Sequence, residues 1–263
     1  MMPAARGPLA DKGIVVTRPA HQSERLAAEL DAAGARAIIF PTIEILPPAD
    51  PQALDSVIDR LERFDIAVFI SPNAARMALQ AIIARRNWPA SVKAATIGRG
   101  GERELARHGI GGVIAPAQFD SEGLLGMPAM QAVAGRRVAI FRGDGGRELL
   151  GDTLRARGAV VEYVESYRRA LPQADAAPLL KAWASGDIDA VTVTSSEGLR
   201  NLCVLIGTTG LEHLKRTPLF VPHPRIELAA KDAGCTHIVV TQQGDDGLIA
   251  GLAAWFGSAH LHD

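Results

Sequence analysis

The chain has 263 residues, 48% apolar and 22% charged, which is globular composition, and two domains are expected because one core rarely grows past about 250 residues. That composition excludes a disordered tail protein, and 28 basic against 29 acidic side chains, a net charge of −1, argue against a general nucleic-acid binder and leave any charge signal to local placement. The longest apolar run, 248–256, is broken by Gly251 and falls short of the ~20 residues of a membrane span.

The first strand is expected in GIVV from Gly13, after an N-terminus whose Arg6, Lys12 and brief apolar run lack a signal-peptide core. It runs through the turn Thr17-Arg18-Pro19 into an amphipathic helix stopped by Gly34, and a long strand is expected over 35–47 (ARAIIFPTIEILP). Next come a strand from Phe64 ending in Ser71-Pro72-Asn73, and a strand after Lys93 ending in Gly98-Arg99-Gly100-Gly101 before a helix stopped by Gly109. Asp120-Ser121-Glu122-Gly123 reads as a helix start, where acidic side chains suit the dipole. A strand from Arg136 leads to Arg142-Gly143-Asp144-Gly145-Gly146-Arg147, a helix stopped by Gly158, and a second long strand over 159–172. The chain closes with a strand from Ile188 into Thr194-Ser195-Ser196, a strand from Pro218 into Pro222-His223-Pro224-Arg225, a helix stopped by Gly234, and Gly244-Asp245-Asp246-Gly247 opening the last helix.

This order occurs twice. Residues 13–44 correspond to 136–167 at an offset of about 123, FDIAVFISPNAARMAL from Phe64 corresponds to IDAVTVTSSEGLRNL from Ile188, and the two following strand–helix units correspond as well. Strands alternating with helices predict an α/β fold of two similar doubly wound, three-layer parallel-sheet domains carrying an internal duplication. A tandem repeat would divide near Ala134. The two long strands favour another division, with each repeat's leading strand and helix completing the opposite domain: 1–41 plus 170–263, and 46–166, joined by a two-stranded β linker near 42–46 and 165–171.

Ligands of open parallel sheets bind outside the strand carboxyl ends, so the turns are the candidate site. Thr17, Arg18, Ser71, Pro72, Asn73, Gly98, Arg99, Arg142, Gly143, Arg147, Thr194, Ser195, Ser196, His223 and Arg225 supply hydroxyls, arginines and helix-start N–H groups, which together suit an acidic ligand. Each serine or asparagine also reads as a plain N-cap, each arginine as a solvated turn residue, and His223 as a surface histidine. GRGGER is too short for a dinucleotide fingerprint, and no phosphate loop, metal-ligand spacing or nucleophile elbow occurs, so neither cofactor nor metal is expected. Cys203 and Cys235 lack CxxC spacing and read as buried reduced thiols, consistent with a cytoplasmic protein.

The ordered set VTRP, PTIEI, FISPNA, TIGRGGERELARHG, SEGLL, IFRGDGGRELL, ESYRR, VTSSEGLRNL, PHPRIELAAKDAG and GDDGLI resembles the uroporphyrinogen-III synthase family over nearly the whole chain. The resemblance implies two α/β domains joined by a two-stranded ladder and a monomeric, cofactor-free enzyme. Its substrate would be hydroxymethylbilane, a linear tetrapyrrole with eight carboxylates, cyclised to uroporphyrinogen III with loss of water and inversion of ring D. The even charge and the short apolar runs point to no nucleic-acid or membrane partner, and the pathway that the resemblance implies makes the preceding bilane-forming enzyme the expected partner. Tyr167 matches the family's tyrosine at the end of the linker strand and reads as the general acid, a phenol with ordinary pKa near ~10 that stays protonated at neutral pH. Its ring also reads as packing at the domain junction. Gly101 departs from members that carry threonine near that place. A non-catalytic two-lobed protein for another small anion is the rival that fold alone leaves open.

Overall fold

Buried four-residue strands, apolar on both faces, set the architecture. The computed structural model describes residues 7–118, 120–146 and 148–259. In chain order β1 (Gly13–Val16), α1 (Ala20–Ala32) and β2 (Arg36–Ile39) open one unit. A second unit, Ile45–Arg169, holds most of β3 (Glu44–Leu46), then α2 (Pro51–Ile58), β4 (Ile66–Phe69), α3 (Pro72–Arg85), β5 (Lys93–Thr96) and α4 (Arg99–Arg107). It continues through α5 (Ser121–Gly126), α6 (Pro128–Gln131), β6 (Arg137–Gly143), α7 (Leu149–Ala156) and β7 (Val160–Ala170). From Ala170 the chain rejoins the first unit with α8 (Ala177–Ala184), β8 (Ala190–Thr192), α9 (Ser196–Arg216), β9 (Leu219–Val221), α10 (Pro224–Asp232), β10 (Ile238–Val240) and α11 (Gly244–Ala259).

The first unit's sheet has the order β10-β9-β8-β1-β2 and the second's β3-β7-β6-β4-β5. Apart from the β3 edge, the strands pair in parallel, and the registers run alike. Gly13 pairs Arg36 as Arg137 pairs Val160, and Ile14 pairs Ala190 as Val138 pairs Ile66. Matched residues of β1 and β6, β2 and β7, and β4 and β8 thus stand 124 positions apart. A cut near Ala134 would part β6 from β4, with which it pairs over four residues.

Each sheet is covered on both faces. In the second unit Ala67, Phe69, Ala139 and Phe141 meet α2 and α3, while Ile66, Val68, Val138 and Ile140 meet α5, α6 and α7. In the first, Val15, Val191 and Val221 meet α8, α9 and α10, while Ile14, Val16 and Phe220 meet α1 and α11. Phe69 and Phe141 are fully buried and stack at 5.0 Å, each worth about 1.5–3 kcal/mol of transfer free energy. Gly34, Gly109, Gly158 and Gly234 lie at φ between 73° and 86°, the left-handed region that ends a helix.

The long strand expected over 35–47 is two short ones. Pro41 has no N–H for a ladder, and both the N–H and the hydroxyl of Thr42 donate to the Thr17 carbonyl, at 3.1 Å each, which turns the chain between β2 and β3.

Candidate functional site

Tyr167 reaches its place through an irregularity in β7. Arg142 of β6 pairs with Glu165 but Gly143 pairs with Tyr167, so Ser166 is an extra residue, a β-bulge. Alternation from Val164, which faces α3, would have sent Tyr167 to the opposite face. The bulge returns it to the α3 face, into the core cluster of Phe69 and Phe141, at 5% exposure. The Ser166 hydroxyl closes the bulge by donating to the Arg142 carbonyl at 3.2 Å.

The ring lies against Gly143, where a Cβ would stand 2.7 Å from Tyr167 Cζ, so only glycine admits it. Its hydroxyl is 3.3 Å from Ser71 Oγ, and Ser71, the N-cap of α3, accepts the Ala74 N–H at 3.0 Å. With one lone pair engaged, the serine can donate to the phenol oxygen or accept its proton. Pro72 and Asn73 open α3. Gly98 caps α4, whose first turn holds exposed Arg99. A Cβ at Gly101 would collide with the Thr96 side chain, itself hydrogen-bonded to the Phe69 carbonyl at 3.0 Å, so a threonine has no room there.

Arg142 and Gly143 lie within β6 rather than in the turn where they were expected, because the ladder with β7 runs on to Tyr167. The Arg142 side chain is 12% exposed; its Cζ stands 4.2 Å from the Tyr163 ring centroid and Nη1 donates to Glu148 Oε1 at 2.8 Å. The Arg142 hydrogen bond holds the Glu148 carboxyl below the usual carboxylate range. Burial, with Glu148 beside it, pushes the Tyr163 phenol above its ordinary value. Arg147 lies outside the described residues.

In the first unit Thr17 is buried and donates to the Thr192 carbonyl at 2.8 Å, so its hydroxyl faces the sheet rather than a ligand. Arg18 is ion-paired with Asp245 at the start of α11, and both side chains are mostly buried. Ser195 caps α9, accepting the Gly198 N–H at 2.9 Å; Thr194 precedes it, and the Ser196 hydroxyl is buried without a hydrogen-bond partner. His223 caps α10, its Nδ1 accepting the Arg225 N–H at 3.0 Å, which puts the neutral ring's proton on Nε2. Arg225 is exposed.

The structure therefore gathers Tyr167, Gly143, Ser71 and Pro72 at the carboxyl end of one sheet, and Thr194, Ser195, Ser196, His223 and Arg225 at that of the other. Sequence reading missed Glu148, Tyr163 and Ser166. Cys235 is buried as expected whereas Cys203 is only half-buried; both are free thiols, and burial pushes the Cys235 thiol up to about 11. Among the described residues no group of His, Cys, Asp and Glu could hold a metal ion, and no helix is long and apolar enough to cross a membrane.

Residues 24–250 match the family model described as uroporphyrinogen-III synthase HemD. The uroporphyrinogen-III synthase of Salmonella typhimurium is 36% identical over 246 residues, covering 91% of this chain and 99% of its own length. That of Escherichia coli is 36% identical over 245 residues, with the same two coverages. A crystal structure of a mutant uroporphyrinogen III synthase from Thermus thermophilus is similar at a TM-score of 0.57 and 18% identity, over 96% of this chain and all of that one, a likeness of fold.

Proposed function

Because the chain belongs to the uroporphyrinogen-III synthase family, we propose that it closes hydroxymethylbilane to uroporphyrinogen III with Tyr167 as the general acid. The reaction is a cyclising lyase step of tetrapyrrole biosynthesis. Its difficulty is geometric, since the bilane also closes unaided to the uninverted isomer. Holding the carboxylates curls the chain and converts the closure into an oriented intramolecular step. In one unit the helix-start N–H groups behind Ser71 and Gly98, with Arg99, and in the other those behind Ser195 and His223, with Arg225, each suit a carboxylate.

The phenol of Tyr167 gives its proton to the terminal hydroxyl, which leaves as water, and the bilane becomes an azafulvenium cation facing the phenolate. Ring D attacks through its substituted position to form a spiro-pyrrolenine, which fragments and recloses inverted; the proton lost as the ring regains aromaticity restores the phenol. Meanwhile Ser71 turns its hydroxyl hydrogen toward the phenolate, at the 3.3 Å separation already present. The observation that carries this reading is the pairing of that phenol with Ser71, produced by the Ser166 bulge and the missing side chain at Gly143. Incubation with freshly made hydroxymethylbilane and separation of the products should yield isomer III; isomer I at the uncatalysed rate would overturn it.

A further inference from the structure

Arg142 is only partly satisfied. Its guanidinium donates to Glu148, while its Nε is buried with no hydrogen-bond partner. Buried donors are almost always paired, so this nitrogen leaves the fork with a donor still to give. The Tyr163 ring, 4.2 Å beneath the guanidinium, fixes the plane of the fork. Beside it lies a cavity of about 180 Å³ lined by Ile70, Ile97, Ser121, Ile140, Leu150 and Tyr163, within the second unit. Ile140 and Arg142 share one face of β6, and Tyr163 both lines the hollow and carries the guanidinium on its ring.

Glu148 is a poor permanent partner. Its side chain is 50% exposed against 12% for Arg142, and it follows Gly145 and Gly146, both at positive φ. It also occupies the N-cap of α7 without capping it, having turned its carboxylate to the arginine instead. An exposed carboxylate on one arginine nitrogen is worth little and is readily replaced.

We propose that Arg142 is a receptor for one acidic arm of a carboxylate-bearing pyrrole, held in reserve by Glu148, whose carboxylate the ligand's displaces while the ring enters the apolar hollow. The arriving carboxylate accepts from the fork in place of Glu148, and Glu148 is freed to water or to the uncapped N–H groups of α7. The identity of the ligand rests on the function proposed above; the exchange itself does not.

The test uses the full chain and a stable probe, a monopyrrole bearing one acetate and one propionate arm, titrated calorimetrically. Removing the resident carboxylate in Glu148→Gln should tighten binding about three- to fivefold. Glu148→Asp, too short to reach, should do the same. Arg142→Gln should weaken binding about tenfold or more, and adding Glu148→Gln to it should change nothing further. Weaker or unchanged affinity in both Glu148 variants, or no binding in any of them, overturns the exchange. Bilane turnover by the same wild-type preparation is scored separately: isomer III without tightening sinks the exchange alone, and tightening without isomer III sinks only the enzyme reading.

Discussion

The second unit sets the Tyr167 phenol against Ser71, whereas the first has Ile43 beside Ser195 at the positions 124 residues away in register. Both serines are N-caps of the helix that follows the matched strand. A side chain on Gly198 would meet Ser195 Oγ, Thr42 Oγ1 and Ile43 Cδ1 at 3.1, 3.2 and 3.8 Å, so Ile43 lies at the head of α9 as Tyr167 lies at the head of α3. Thr42 and Ser166 match as well, Thr42 donating its hydroxyl to the Thr17 carbonyl just past β1 and Ser166 to the Arg142 carbonyl of β6. An aliphatic residue is thus enough to fill this place in the fold, and the phenol adds chemistry that packing does not require.

The largest expected effect breaks that distinction directly. Tyr167→Phe keeps the ring and removes the proton, so turnover of hydroxymethylbilane should fall at least about tenfold, within the 10²- to 10⁴-fold that positioned acids contribute. Melting temperature should stay within about a degree or two, since the hydrogen bond to Ser71 is long and neutral. A loss of stability with turnover intact would make Tyr167 a packing residue like Ile43.

Gly143→Ala tests the same pair from beneath. Its Cβ would stand 2.7 Å from Tyr167 Cζ, so the ring must leave Ser71 or β6 must shift, at a cost of about 1–3 kcal/mol. Turnover should fall with it. Gly126→Ala, where a Cβ meets nothing, is the control and should leave activity as it was.

The matched arginines differ in the same sense. Arg18, in the turn after β1, and Arg142, within β6, stand 124 positions apart, but Asp245 is 13% exposed where Glu148 is 50%. Arg18 is therefore structural: Arg18→Ala strands a mostly buried carboxylate and should cost about 1–3 kcal/mol in urea unfolding, softened by Arg25, whose Nε is 3.7 Å from Asp245. Probe affinity should be unchanged.

What the sequence disclosed and what it withheld follow from range. Strand runs such as IAVF and GIVV, stops such as Gly34, and caps such as Ser71 and Ser195 are local signals, and the order of turns carried the family. The break at Pro41 was also written locally and was overridden by the apolar run around it. Register is not local: the Ser166 bulge exists only in the pairing of β7 with β6, and without it Tyr167 faces the wrong helices. Arg18 meets an aspartate 227 positions away, and the Arg142–Glu148 pair, though near in sequence, depends on a glycine turn folding back on β6.

The smallest expected effect concerns acid. Among the described carboxylates held below their ordinary range, Glu62, Asp65 and Glu148 belong to the second unit and Glu212 to the first. The Arg137 N–H and then Arg136 hold Asp65 down, Arg142 holds Glu148, Lys215 holds Glu212, and backbone hydrogen bonding followed by Arg86 holds Glu62. A depressed carboxylate stabilises the fold above its unfolded value, near ~4, and that contribution disappears as pH falls through the lower folded value. Lowering the pH from 7 to about 5 should therefore change little, and the loss below about 4 should fall first on the second unit. Hydrogen exchange with intrinsic rates corrected for pH should show amides of β4 and β6 losing protection before those of β8 and β9. Equal loss in both units would mean that these exposed ion pairs contribute nothing measurable, as many do.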